Sequence, residues 1–264
     1  MMKKKGVNKS GLNNRGQVTM FIIIGIVIVV FAVLIFLFWP KISSIVGSEK
    51  SPEEFIQDCL GGDLKETVDL VSSQGGSINP KNYFLYKDDK LELLCYTSED
   101  YKLCTMQQPL LKQHIENEIK SEINDKVKTC FDKLQSDYQG KGYEVSLQRK
   151  NFSVELLPNK VSVVFNYPLT LTKGDVKKYE QIRISLNNNL YELVGISNSI
   201  LNTEATYGDS ETTIYMTYYP WLKVEKLKQT YGETVYILTD RDSGNKFQFA
   251  TRSMPWPPGY GAGY

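Results

Sequence analysis

Two groups of side chains in this sequence have a spacing that could support chemistry. His114 and Glu118 stand four apart and share a helix face, which could supply two metal ligands. Catalytic zinc needs three protein ligands, and no third is in view, so a helix surface pair is the preferred reading. Asp240-Arg241-Asp242-Ser243-Gly244-Asn245 carries the alternating carboxylates of a calcium loop, with Asp240, Asp242 and Asn245 as candidate ligands. The glutamate that closes such a loop is missing, because the twelfth position is Thr251. A hairpin turn accounts for the same Asp, Gly and Asn residues and is preferred over calcium.

Other catalytic arrangements find less support. A serine hydrolase triad needs a histidine base, and His114 is the only histidine. No G-x-S-x-G elbow, Walker A motif or G-x-G-x-x-G is present. No catalytic residue or cofactor is assigned. Tyrosine is abundant, 17 in all, and "IYMTYYPWLKVEK" concentrates aromatics. Exposed aromatic rings bind sugars or proteins, but in a strand they are more often packing residues. Asn151-Phe152-Ser153 is an N-glycosylation sequon.

The elements that would position these groups follow from patterning. Ser51-Pro52-Glu53-Glu54 combines a cap, proline at the first helical position and a capping box. The helix it starts kinks or restarts at Gly61-Gly62 and ends at Gly75-Gly76. Residues 82–97 read as a hairpin around "KDDK". A long helix runs from Pro109 to about Tyr138. Its apolar residues Leu111, Ile115, Ile119, Ile123, Val127 and Phe131 step by four, so the stripe winds around the helix.

From Tyr143 the period changes to two. "YEVSLQ", "NFSVELL" and "KVSVVFNYPLTL" read as a three-stranded antiparallel meander, and "QIRISL" adds an edge or leads into a helix. Leu190, Leu193, Ile196, Ile200 and Leu201 have helical spacing. Strand patterns return in "TTIYMTYY", "WLKVEKLK", "TVYILTD" and "KFQFATR".

Met20 to Trp39 is an uncharged apolar run of 20 residues. As a helix it would be about 30 Å long, the hydrocarbon thickness of a bilayer. It exceeds the apolar core of a cleavable signal, and no small-x-small site follows it. Basic residues precede it, so the N-terminus is expected in the cytoplasm and residues 42–264 outside. Six of the 31 basic residues precede Glu49, leaving 25 basic and 30 acidic residues and a net charge of −5 beyond it. An acidic main body argues against nucleic-acid binding.

The four cysteines, Cys59, Cys95, Cys104 and Cys130, all fall in the proposed outer part. An even count in an oxidising compartment suggests two disulfides. Cys95–Cys104, closing a local loop, and Cys59–Cys130, joining two helices, are favoured among three connectivities. A zinc site is the rival, without a C-x-x-C pair to support it.

The expected fold class is α+β: a single N-terminal transmembrane helix followed by an extracellular antiparallel-sheet domain with packed helices. The organisation is a cytoplasmic basic leader (1–19), the membrane segment (20–39), a linker (40–50), a helical region with a β-hairpin (51–140), a mostly antiparallel β region with one helix (141–253) and a flexible tail (254–264). The expected role is a membrane-anchored cell-surface structural or binding protein without evident catalysis. Its partners would be the lipid bilayer and other proteins or further copies of itself. A surface enzyme acting on glycans or peptides is an alternative.

Arg15-Gly16 before Gln17-Val18-Thr19-Met20-Phe21 resembles the leader of archaeal type IV pilin-like precursors. That resemblance implies cleavage between Gly16 and Gln17 and packing of the apolar helix into a filament core. Phe21 stands where many type IV pilins carry a glutamate, which tilts the reading toward a retained anchor. More broadly, "RGQVTMFIIIGIVIVV", Cys59-Leu60, Gln74-Gly75-Gly76 and "FQFATR" look similar to a group of uncharacterised membrane-anchored archaeal proteins. This implies a surface location and no particular activity.

Overall fold

The computed structural model describes residues 22–34 and 50–255. Residues 22–34 are a helix, α1, and belong to a unit separate from the domain that begins at Ser51. The expected transmembrane helix is corrected here. Among the described residues no helix is long and apolar enough to cross a membrane. The described part of α1 is about 20 Å long, short of the ~30 Å hydrocarbon core. The basic leader with Gly16 and Gln17, both ends of the Met20 to Trp39 run, most of the linker and residues 256–264 lie outside the described residues.

The main domain is α+β. Helix α2 (Pro52–Ser73) opens as its sequence dictates. Ser51 Oγ accepts from the Glu54 amide at 3.2 Å, and Glu54 Oε2 accepts from the Ser51 amide at 2.9 Å. The expected break at Gly61-Gly62 does not occur. Both glycines face away from the core, while Leu60 and Leu64 on either side are fully buried and hold the helix continuous. Gly75 and Gly76 end the segment with φ of +82° and +107°. A Cβ at Gly75 would lie 2.9 Å from Glu92 Cβ, and one at Gly76 would lie 3.0 Å from Ile115 Cγ1. Glycine is needed at both for conformation and for room.

Helix α3 (Leu111–Gly140) carries the winding stripe. Leu111, Ile115, Ile119, Ile123, Val127 and Phe131 are all buried, and Cys130, Leu134 and Tyr138 extend the row. The helix runs antiparallel to α2: Cys59 bonds to Cys130, and Asp63 meets Lys126 at 3.2 Å one turn along. On the same turn as Cys130 the stripe also reaches the sheets, where the Phe131 ring sits 5.1 Å from Phe165 and 4.7 Å from Tyr167.

Three sheets complete the domain. The largest runs β1 (Tyr83–Tyr86), β2 (Asp89–Tyr96), β12 (Lys246–Arg252), β11 (Glu233–Asp240), β10 (Leu222–Lys228), with the short β3 (Thr105–Met106) beside β2. It is not purely antiparallel as expected, because β12 pairs with β2 in parallel. Lys87 and Asp88 turn the first hairpin with positive φ at both central residues, as a type I′ turn requires.

The other two sheets are β4 (Glu144–Leu147), β7 (Leu169–Lys173), β8 (Asp175–Tyr179) and β5 (Phe152–Leu157), β6 (Lys160–Phe165), β9 (Ile182–Asn187). Each is antiparallel with the later-central strand, β7 or β6, in the middle. The expected three-strand meander is thus a set of long strands, each broken by a bend. The middle one breaks at Asn166-Tyr167-Pro168 because Pro168 has no amide to offer a ladder. Strand β8 escaped the sequence reading, since three of its five residues are charged and four are exposed. The free edges of the second of these sheets are closed by helix side chains: the Ser185 amide donates to Gln57 Oε1 and the Leu156 amide to Glu116 Oε1.

Helix α4 (Leu190–Tyr207) follows, then a short helix, α5 (Thr213–Tyr218), where a strand was expected. Thr, Ile and Tyr favour strands in general, but here the segment folds as a six-residue helix packed beside the edge strand β10. The expected flexible tail is anchored at its start, since Met254 is buried and its amide donates to the Lys102 carbonyl at 3.0 Å.

The structure pairs Cys59 with Cys130 and Cys95 with Cys104, at sequence separations of 71 and 9. The larger loop should restrict the unfolded chain more. Loop-closure entropy predicts a cost of about 4 kcal/mol for removing Cys59–Cys130 and roughly 2–3 kcal/mol for Cys95–Cys104. Urea unfolding of the two double-alanine variants checks the order, and a larger loss from Cys95–Cys104 would contradict it.

Candidate functional site

Helix α4 has two working faces. Leu190, Leu193, Ile196, Ile200 and Leu201 anchor it in the core, as their spacing predicts. Tyr191, Gly195, Asn198 and Ser199 fall one turn apart on another face and form the floor of a cleft of about 440 Å³. That is within the size range of small-molecule sites. Gly195 leaves the floor open, as a Cβ there would meet nothing within 4 Å.

The opposite wall comes from α5 and the start of β10. Tyr215, Tyr219 and Trp221 line it, with the Tyr219 and Trp221 rings 5.8 Å apart at 54°. Tyr215 is tied across the cleft by a 2.9 Å hydrogen bond between its hydroxyl and Ser199 Oγ. The third wall is α3. Lys112 Nζ lies 5.6 Å from the centre of the Tyr191 ring and 3.2 Å from Glu116 Oε1, the same oxygen that closes the β5 edge. The cleft wall is therefore held by the sheet it adjoins.

Lys112 and Glu192 are the charged lining residues. Glu192 Oε1 accepts from the Asn159 amide at 3.0 Å, but Oε2 is buried without a partner. Asn198 Oδ1 is likewise buried and unpartnered. Buried acceptors normally find donors, and these two belong to residues on the α4 side of the cleft, though neither oxygen is itself exposed to it.

The residues singled out in the sequence go elsewhere. His114 and Glu118 do share a helix face but serve separate bonds: His114 Nε2 lies 2.8 Å from Ser77 Oγ, and Glu118 Oε2 accepts from the Ile78 amide at 2.8 Å. The calcium candidates form a turn. Asp240 Oδ1 accepts from the amides of Asp242 and Ser243 at 2.7 and 3.2 Å, and Asp240 Oδ2 and Asn245 Nδ2 both engage Asn189. No group of three potential metal ligands occurs among the described residues. Asn151 is exposed in the bend between β4 and β5.

Sequence reasoning missed one cluster of catalytic residue types. Ser77 Oγ donates to Glu92 Oε2 at 2.5 Å while facing His114 Nε2. A hydrolase places histidine between acid and serine so that it can take the serine proton. Here the serine stands in the middle and its proton points at the carboxylate. Ser77 and Glu92 are buried, so the trio is a clamp joining the Gly75-Gly76 loop to β2 and α3.

A second buried pair braces the far end of α4. The Tyr236 hydroxyl donates to Glu204 Oε1, and both residues are almost fully buried. Burial pushes the Glu204 carboxyl up to about 7, against lowering by the Tyr236 bond and by Lys226. Burial and the neighbouring Glu204 likewise raise the Tyr236 phenol. A carboxyl raised in the folded state binds its proton more tightly there than in the unfolded chain. Its contribution is therefore most favourable below the ordinary value of 4.5 and is lost as pH rises toward about 7. The loss across that window is on the order of 2–3 kcal/mol. Urea unfolding of wild type against Glu204→Gln between those limits should show the slope in the first protein and a flatter profile in the second.

Compared with known proteins, the chain matches no family model, no curated protein and no solved structure.

Proposed function

We propose that this chain is a non-enzymatic binding protein of an oxidising, extracytoplasmic compartment, in which the aromatic cleft takes up a ligand. The cleft carries the reading: four aromatic rings converge on one concave surface with few polar groups, the usual character of a ligand site. The two disulfides support the compartment, since such bonds persist where the surroundings are oxidising.

The chemistry of the lining favours binding over turnover. A glycosidase sets two carboxyl groups about 5–9.5 Å apart across the scissile bond. The cleft lining holds one, Glu192. A nucleophile would need a base beside it, and Ser199, the lining hydroxyl on α4, is bonded to Tyr215 instead.

Helix α1 favours a second reading, a filament subunit cut after Gly16. Residues 22–34 are exposed throughout and, glycine and alanine apart, are Ile, Val, Phe and Leu. A helix apolar on every face needs apolar cover, which copies of itself in a filament core supply.

Two measurements test these readings. Incubated with cell-envelope polysaccharide and peptide fractions, the full chain should retain a ligand whose mass does not change, and Tyr219→Ala should abolish retention. Shortened products would overturn the non-enzymatic reading. Mass spectrometry of the native protein addresses the filament reading, which requires a chain beginning at Gln17 and fails on an intact leader.

A further inference from the structure

We propose that the cleft's ligand is a neutral carbohydrate, seated with a ring face on Tyr219 and Trp221 and its hydroxyls directed to Glu192 and Asn198. This rests on the reading of the cleft as a ligand site and names the chemistry that site would accept.

Three observations narrow the ligand. The first is the aromatic wall. Tyr219 is 42% exposed, so its ring surface is available, and Trp221 adjoins it at an angle. Rings presented in this way suit a flat partner with polarised C–H groups, because the aromatic face carries partial negative charge. A pyranose offers such a face on one side and hydroxyls around its rim.

The second is the pair of unpartnered acceptors. Glu192 Oε2 and Asn198 Oδ1 lack donors within the protein. Both residues line the cleft and are half-buried, and the two oxygens themselves are covered, so the proposed contact requires each side chain to turn outward when the ligand binds. The ligand that satisfies them must bring donors. Hydroxyl groups do so without adding charge, and the carboxylate makes the stronger bond.

The third is charge. Lys112 is the lining cation, and it is already paired with Glu116 and placed over Tyr191. A nucleotide or sugar phosphate would place its negative charge beside the Glu192 carboxylate in the first turn of α4, with only the paired Lys112 to offset it. A quaternary ammonium would suit the rings but leave both acceptors without donors. A proline-rich peptide would use the rings, yet proline has no amide to donate. A sugar meets both the ring faces and the acceptors.

Calorimetric titration of the full chain with neutral hexasaccharides of glucose, mannose and N-acetylglucosamine tests this, with octaproline and ADP as comparison probes. At least one hexasaccharide should bind with Kd on the order of 0.1–1 mM. Tyr219→Ala and Trp221→Ala should each weaken it about tenfold or more, equivalent to one decade of Kd. Glu192→Gln, which keeps an acceptor oxygen but removes the charge, should weaken it less. Tyr231→Ala, at a residue 78% exposed and outside the cleft, should leave binding and unfolding temperature unchanged. Octaproline or ADP binding lost in Tyr219→Ala, with no sugar bound, would overturn the carbohydrate assignment and leave the cleft as a binding site. Sugar binding indifferent to both ring substitutions would overturn the seat proposed for it. Silence from every probe up to about 10 mM would count against both the ligand class and the binding cleft.

Discussion

The four-residue step of the α3 stripe is the constraint on which the rest of the domain depends. Buried residues spaced by four advance about 40° around the helix at each step. A helix so patterned cannot bury its whole stripe against one straight partner. In this domain it meets α2 on one side, joined by Cys59–Cys130, and the aromatic layer of Phe165 and Tyr167 on another, through Phe131. The helical and β regions share one core because the same stripe serves both. Every fully buried position on α3 is aliphatic or aromatic, so shortening one opens a cavity at the junction of several elements.

That helix also protects the sheets and shapes the cleft. The second three-stranded sheet has two free edges, and α2 and α3 each place a side-chain oxygen against an edge amide. Glu116 does this while holding Lys112, and Lys112 in turn covers the Tyr191 ring. A path of direct contacts thus runs from the β5 backbone to the floor of the cleft. Each link alone is modest, since an exposed ion pair contributes under about 1 kcal/mol. Their value is positional: they fix where the Lys112 ammonium stands relative to the ring.

Local chemistry was legible in the sequence and non-local pairing was not. The capping box at Ser51, the winding stripe of α3, the buried face of α4 and the Asp240 turn are set by residues within a few positions of one another. The disulfide pairing was readable because Cys59 and Cys130 fall on helices whose own patterns were clear. The parallel pairing of β2 with β12 joins segments about 150 residues apart, and no periodicity encodes a partner at that distance. Pattern misled at "TTIYMTYY", where strand-favouring residues form α5, because strand propensity is weak and yields to tertiary context. The cleft was invisible because its residues are distant in sequence. Lys112, Tyr191 and Trp221 are brought together only by α3 packing beside α4 and β10 following α5. Its one local signal was the crowding of aromatics at 215–221, which was read as packing within a strand.

Helix α4 links the two least ordinary features of the domain. Its first half forms the cleft floor and its last turn carries Glu204, bonded to Tyr236 on β11. The segment between Glu204 and α5 turns at Gly208, with φ of +79°, and Lys226 ties it back through Asp209 and the Ser210 carbonyl. The α5 wall therefore hangs from the end of α4 that the buried carboxyl secures. Alpha5 has no buried residue of its own, and its Ile214 and Tyr218 are 52% and 75% exposed. Half-buried Tyr215 and Met216 pack it against the core, the Tyr215–Ser199 bond ties it to α4, and its two ends fix the rest. One end is Tyr219 and Trp221, the rings of the cleft, and the other is the loop braced beside Glu204. The site with unsatisfied acceptors and the pair with a displaced carboxyl pKa are thus successive stations along one piece of chain.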